Sequence, residues 1–453
     1  MSPSKAVNNI LTAVLTPLSW GYGAVTWIRN KMFDAGVILR EQEFDIPVVC
    51  VGNITVGGTG KTPHVEYILR NLSGRYRIAV LSRGYKRKTK GFVLANRNSS
   101  PADIGDEPLQ IYRKFGGRVI VAVCESRRKG IKALQENFPN LDVIVLDDAF
   151  QHRYVKPKVS ILLTDFNRPF YNDRMLPLGR LRESTFQVNR ADMVVVTKCP
   201  RDISPIDIRI IRKKLNLMKF QSLFFSTFEH TDILPVFPDE ARYQVSLDSL
   251  SGADSVLLVT GVANPRGFIR YFKHFPFKVK VDHYPDHHDF TRGDISEITE
   301  RFEKLQGARK IIVTTEKDAV RLQHNPYFPH KLKPYIFYLP VEVKMLESPS
   351  GDFVEALSAA IEGRSRMASY IDAEQAEATS AYERIVSEEN EQEESYNDSL
   401  GEDHTKNSFD SRSDNEAESG ETRDDERTSG DGWFSENDSR RENVNNNDEE
   451  DDF

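Results

Sequence analysis

Short apolar runs recur along the chain, each closed off by glycine, polar or charged residues. Val48–Val51, Arg77–Leu81, Arg118–Val123, Leu141–Leu146, Val159–Leu163 and Met193–Thr197 read as strands. Helical patterns fall between them, near 64–72, 106–115 and 126–137. Strands alternating with helices over short connections predict an α/β domain with a mainly parallel sheet. Leu223-Phe224-Phe225 adds one short strand, and the Pro-containing stretch 233–238 marks a boundary. A second, smaller α/β unit follows, with a strand at Ser255–Thr260, a helix near 265–273, strands near 276–283 and 309–314, and a helix after Glu316. Val354–Ile361 reads as a last helix returning to the first domain, and no internal repeat is present. The expected divisions are 1–30, 31–240, 241–345, 346–364 and a tail from 365 to 453.

The first strand runs into Thr55-Val56-Gly57-Gly58-Thr59-Gly60-Lys61-Thr62, a P-loop pattern with threonine where the first glycine usually stands. The glycines let the backbone curl so that successive N–H groups face an anion. Lys61 is suited to the β- and γ-phosphates of a nucleotide and the Thr62 hydroxyl to Mg²⁺. Pro63 fits the first turn of a helix, whose N-terminus then also faces the phosphates. The expected architecture is therefore a P-loop NTPase-like domain with a smaller α/β companion.

Charge is divided unevenly along the chain. Residues 371–453 hold 29 acidic and 7 basic residues, whereas residues 1–370 hold 54 basic and 39 acidic. The tail has too few apolar residues to offset its ordering entropy and is expected to be disordered. The basic body suits an anionic partner, phosphate or membrane surface, or simply a solvated exterior. Cys50, Cys124 and Cys199 are isolated, which points to a reducing compartment and no structural zinc. Residues 10–28 carry no charge and include Trp20, Tyr22 and Trp27, but Pro17, Gly21 and Gly23 interrupt them. That stretch suits either a segment in the membrane interface or a helix packed on the core, and not a full span.

Val143–Leu146 ends in Asp147-Asp148, which places carboxylates near the Mg²⁺ shell of a P-loop. Val194–Pro200 resembles the strand plus Thr-Lys that cradles a purine elsewhere, but lacks the Asp that reads guanine, so ATP is favoured over GTP. Val56 replaces the signature lysine of the partitioning ATPases, which counts against a dimeric switch. Further polar stretches follow predicted strands, where ligands sit in open α/β sheets. They are Ser82–Lys88, Gly105–Pro108, Glu125–Lys129, Gln151–Arg153, Gly179–Glu183 and Asp286–Phe290.

With Val51-Gly52-Asn53 through Thr62, Leu146–His152, Val259–Pro265 and Thr314–Asp318, most of these stretches form an ordered set of blocks over roughly residues 5–362. In that order they resemble the tetraacyldisaccharide 4'-kinase (lipid A 4'-kinase) family, in which a Ser or Thr opens the loop. The resemblance implies transfer of the γ-phosphoryl of ATP to the 4'-hydroxyl of a tetraacyl glucosamine disaccharide 1-phosphate. By position, Asp106 becomes the base, His287 its partner and Arg182 the residue neutralising charge on the transferred group. Asp147, Asp148 and Glu183 are expected around the Mg²⁺ with Thr62, and Asn53, Arg83, Gln151 and His152 on the substrate side. The domains are expected to close over the nucleotide, bringing His287 toward Asp106. The implied place is peripheral, on the cytoplasmic face of the inner membrane, with no nucleic-acid partner. Rival readings are a nucleotide-dependent switch or adaptor and a kinase for a soluble sugar.

Overall fold

The central strands are apolar on both sides because helices cover both faces of their sheet. The computed structural model of the protein describes residues 5–36, 39–241 and 245–363, all within one compact unit. In chain order come β1 (Val48–Gly52), β2 (Ile78–Ser82), β3 (Val93–Leu94), β4 (Ile120–Val123), β5 (Val143–Asp147), β6 (Val159–Asp165), β7 (Met193–Thr197) and β8 (Ser222–His230). Then follow β9 (Leu234–Pro235), β10 (Ser255–Thr260), β11 (Lys278–His283), β12 (Lys310–Thr315) and β13 (Ile336–Leu339), and last β14 (Val341–Met345). One sheet has nine strands in the order β14-β8-β7-β6-β1-β5-β2-β4-β3, the other five in the order β11-β10-β12-β13-β9.

Strand β1 lies at the heart of the larger sheet, parallel to β5 and β6, with Cys50 opposite both Leu146 and Ser160. Its alternating side chains feed two cores. Val49 and Val51 point toward α2 (Lys61–Leu72), which contributes Val65, Ile68 and Leu69 to the same cluster. Val48 and Cys50 belong to the opposite cluster, with Ile131 and Leu134 of a helix at Arg127–Asn137.

Strand β14 falls in the stretch that the sequence pattern assigns to the smaller unit, yet it pairs antiparallel with β8, Val343 opposite Phe228. Pro340 stands between β13 and β14 and has no N–H to extend the β13 ladder, so the chain leaves the small sheet there. The helix Phe353–Ile361 then packs on the large sheet, its Phe353 ring 5.1 Å from that of Phe224. Three helices escape the sequence pattern, the short Pro101–Ile104 and the longer Pro205–Leu215 and Arg292–Glu303. In Arg292–Glu303, only Ile295, Ile298 and Phe302 are buried, too thin an apolar stripe to stand out from its charged residues.

The N-terminal helix α1 (Lys5–Ala35) runs unbroken through Pro17. It meets the body through polar and small residues and through the buried Phe33, whose ring lies 5.0 Å from that of Tyr154. The Ser19 hydroxyl donates to the Met175 carbonyl at 2.8 Å, the Tyr22 hydroxyl to the Arg182 carbonyl at 3.1 Å, and Arg29 to the Gln151 carbonyl at 2.7 Å. Meanwhile Trp20 is 73% exposed and Trp27 61%, with Val14, Leu18, Val25 and Ile28 also exposed. The helix therefore packs on the core and still turns an apolar face outward. No helix among the described residues is long and apolar enough to cross a membrane. The acidic tail lies outside the described residues.

Candidate active site

Strand β1 ends at Gly52, where only glycine fits: a Cβ there would lie 2.6 Å from the Phe150 Cβ. The loop that follows closes on itself, the buried Asn53 amide donating to the Thr59 hydroxyl at 2.8 Å. Gly60 (φ 89°) caps α2 in the left-handed region, which side chains disfavour. Beyond it the first N–H groups of α2, at Lys61 and Thr62, have no partner within the helix. Thr55 is buried and bridges to Leu181; the Val56 N–H donates to the Arg180 carbonyl and the Arg182 N–H to the Ile54 carbonyl, both at 2.8 Å. Gly57 and Gly58 stay exposed at the tip. On the other side the Thr197 hydroxyl donates to the Thr59 carbonyl at 2.9 Å, and the Lys198 ammonium donates to the Gly58 carbonyl and to Asp165. The Thr-Lys pair read as a base cradle thus also ties down the loop.

Register places Asp147 opposite Val51, at the end of β5 beside the loop. It is 1% exposed, and its Oδ1 has no hydrogen-bond partner. Burial, reinforced by the charges of Glu107 and Asp148, pushes its carboxyl up to about 7. Asp148 lies 3.4 Å from Lys61 Nζ and 3.0 Å from Arg182 Nη2. Burial opposes its ionisation too, but those two cations outweigh it and hold the carboxyl below its usual range. Arg182 also donates to the Asn53 carbonyl at 3.0 Å, as Gln151 does at 2.6 Å. Glu183, 1% exposed, accepts from Arg190 through Oε2 at 2.7 Å and has Arg29 of α1 3.5 Å away, while its Oε1, like the Asp147 Oδ1, has no hydrogen-bond partner. His152 is half-buried and its imidazole is driven down to about 4, by burial first and then by the charges of Arg127, Arg128, Arg83 and Arg29.

A second group of side chains gathers around Asp106. It opens the helix Asp106–Phe115, after Gly105 at φ 89°. Arg321, from the helix Glu316–Gln323 of the smaller sheet, donates to Asp106 Oδ2 through Nε at 2.7 Å and through Nη2 at 2.6 Å. His287 Nδ1 lies 3.6 Å from the same oxygen and 3.0 Å from Arg321 Nη2. Lys317 Nζ reaches His287 Nε2 at 2.9 Å and Glu107 at 3.0 Å. Burial alone would raise the Asp106 carboxyl, but bonds to His287 and Arg321 outweigh it and hold it below the usual range. Asp106 and His287, paired in the sequence reading from distant segments, are therefore neighbours.

A buried charge cluster joins the two groups. Lys114 lies 2.6 Å from Glu66 of α2 and 2.6 Å from Glu316, and Gln110 donates to Glu66 at 2.8 Å.

A family model described as tetraacyldisaccharide-1-P 4'-kinase matches residues 11–362. The chain belongs to this family. It is similar to the tetraacyldisaccharide 4'-kinase of Bacteroides thetaiotaomicron, 48% identical over 369 residues that cover 80% of this chain and 96% of that one. It is also similar to that of Porphyromonas gingivalis, 46% identical over 356 residues, 77% and 97% of the two chains. Among solved structures it resembles LpxK from Aquifex aeolicus in complex with ATP, at TM-score 0.59 and 29% identity, over 78% of this chain and 99% of that one.

For a member of the tetraacyldisaccharide 4'-kinase family, the residues that sequence reasoning missed are informative. Arg321 and Lys317 hold the Asp106–His287 pair, yet no role was read for either. Lys317 lies inside the stretch Thr314–Asp318, and Arg321 falls one helical turn beyond its end. Helical spacing from Asp318 is the signal that would have found it. Arg127 donates to the Asp147 carbonyl at 3.3 Å; its stretch, Glu125–Lys129, is among those expected at the ligand end of the sheet, with no role expected for this residue.

Proposed function

We propose that the protein transfers the γ-phosphoryl group of ATP to the 4'-hydroxyl of a tetraacyl glucosamine disaccharide 1-phosphate. The observation that carries this reading is the pair of Asp106 and His287 in a chain that also holds a P-loop, since a nucleotide switch needs no base for an acceptor. Lys61 and the N–H groups opening α2 bind the β- and γ-phosphates. Asp106 accepts the proton of the 4'-hydroxyl as that oxygen forms its bond to the γ-phosphorus and the bond to the β,γ-bridging oxygen breaks, leaving ADP. His287 orients the carboxylate and shares the proton. Arg182, fixed by Asn53 and Asp148, offers a planar guanidinium to the transferred group's oxygens.

The donor set beside the loop is all oxygen, and the orphaned Asp147 Oδ1 fits a hard cation. Bound Mg²⁺ would be held by Thr62, Asp147, Asp148 and Glu183, where it would neutralise charge on the phosphates. Through Arg190 and Arg29, Glu183 also links that shell to α1. Arg83 and the arginines around His152 suit the substrate's own phosphate.

The outward apolar face of α1 supports a peripheral seat on the cytoplasmic face of the inner membrane. An acylated sugar does not leave the bilayer cheaply, at about 0.8 kcal/mol per CH₂ exposed, so the enzyme goes to it. The test is incubation of purified protein with ATP, Mg²⁺ and detergent-dispersed acylated disaccharide 1-phosphate. A product gaining one phosphate at the 4' position is expected; no transfer with ATP binding intact overturns the reading.

A further inference from the structure

We infer that Arg321 is a positioning residue for phosphoryl transfer, fixing one oxygen of Asp106 so that the other is left to take the acceptor's proton. The inference rests on the proposed kinase reaction and adds a residue to it.

The geometry is one-sided. Both Arg321 bonds to Asp106 end on Oδ2, and His287 Nδ1 approaches the same atom. Oδ1 accepts no hydrogen bond among the described residues. A carboxylate free to rotate presents either oxygen; two N–H bonds from one planar fork remove that freedom. Arg321 is itself held. Its Nη1 donates to Asp318 Oδ1 at 3.0 Å, and Asp318, fully buried, accepts from the Gly261 N–H at 2.8 Å and the Thr315 hydroxyl at 2.6 Å. Three separated stretches, around Gly261, His287 and Thr315–Asp318, thus converge on one guanidinium, and through it on the helix that carries Asp106. Arg321 is 8% exposed, so water competes little for these bonds.

The charges facing Asp106 are Arg321 and Lys317 from one helix and His287 from the loop after β11, with Glu107 beside it on its own helix. Tyr85 packs edge-on against the His287 ring, and Lys86 donates to the His287 carbonyl at 2.7 Å. Arg321 is the cation in direct contact. It keeps Asp106 ionised at lower pH, so its removal moves the acid limb of activity upward, an opposite charge at this range being worth about one to three pH units. A purely structural role would not move that limb.

The test measures kcat, KM for ATP and the pH profile of kcat/KM, on ATP and detergent-dispersed acylated disaccharide 1-phosphate, for wild type, Arg321→Gln and Arg321→Lys. Expected for Arg321→Gln are a fall in kcat of about a hundredfold, an acid limb displaced upward by at least about one unit, and an unchanged KM for ATP. Arg321→Lys keeps the charge but not the fork, so its limb stays near wild type while kcat still falls. Wild-type transfer with an unmoved limb in Arg321→Gln, or a Gln variant faster than wild type, overturns the positioning role alone. Absence of transfer by wild type overturns the kinase reading instead. If Arg321→Gln does not fold, Arg321→Lys decides: kcat equal to wild type counts against the role.

Discussion

The loop proposed to receive the nucleotide and the site proposed to receive the acceptor are built in opposite ways. The donor side comes from one stretch, Asn53–Thr62, leaving the central strand, and its carboxylates stand on the neighbouring strand in fixed register. The acceptor side is assembled from Asp106 on one sheet's helix and His287, Lys317 and Arg321 from the other sheet. A site made within one sheet is as rigid as that sheet, whereas one made between two depends on their contact. Binding of ATP and transfer of its phosphate are therefore expected to be separable by mutation.

The largest expected effect lies on the acceptor side. Asp106→Asn removes the proposed base and is expected to lower kcat by about 10²–10⁴-fold, with ATP affinity unchanged by calorimetry; matching losses in both would erase the distinction. Lys61→Ala acts on the donor side, where loss of one phosphate-facing cation is expected to cost about 10²–10³-fold in kcat. Here ATP affinity should fall as well, and a variant that binds ATP normally would place Lys61 outside the phosphate site.

The same contrast decides what could be read in advance. The donor side was legible because strand, glycines, lysine and threonine are contiguous, and alternation of apolar runs with helices placed Asp147 beside them. The acceptor side was legible only through resemblance, which named Asp106 and His287 but passed over Arg321. No local pattern connects residues 215 positions apart. Glu183 shows another limit: its contacts with Arg190 and with Arg29 of α1, which leave Oε1 without a hydrogen bond, are set by where α1 docks and have no local signal. The direction in which α1 faces was equally unreadable, since its apolar residues suit a core as well as a lipid surface.

That outward face gives a smaller and more selective prediction. An indole buries 150–250 Å² when fully enclosed, so a third of that area against lipid, at about 25 cal/mol per Å², is worth on the order of 1–2 kcal/mol. Trp27→Ser should raise KM for acceptor in anionic vesicles by about tenfold. It should leave KM for ATP, and kcat in detergent, as they are. A uniform change in all three would mean that Trp27 supports the fold rather than the lipid surface.

The smallest effect tests the contact between the two sides. Two carboxylates, Glu66 and Glu316, share the single cation Lys114, so one negative charge is left over in a buried place. Burial first, and then Glu66, push the Glu316 carboxyl from its ordinary 4.5 up to about 7. The unfolded chain releases that proton near 4.5 while the folded chain keeps it, so stability drawn from this group is full below pH 4.5, falls as pH rises toward 7, and is flat above. Glu316→Gln mimics the protonated form and cannot release a proton. Asp147 titrates in the same window, which makes the difference between proteins, not the wild-type slope, the quantity to read. The thermal midpoint of Glu316→Gln should therefore drop less between pH 5.5 and 8 than that of wild type, by a few degrees. Equal drops would mean that the cluster carries no strained charge, and that the helices bearing Glu66 and Arg321 are joined by packing alone.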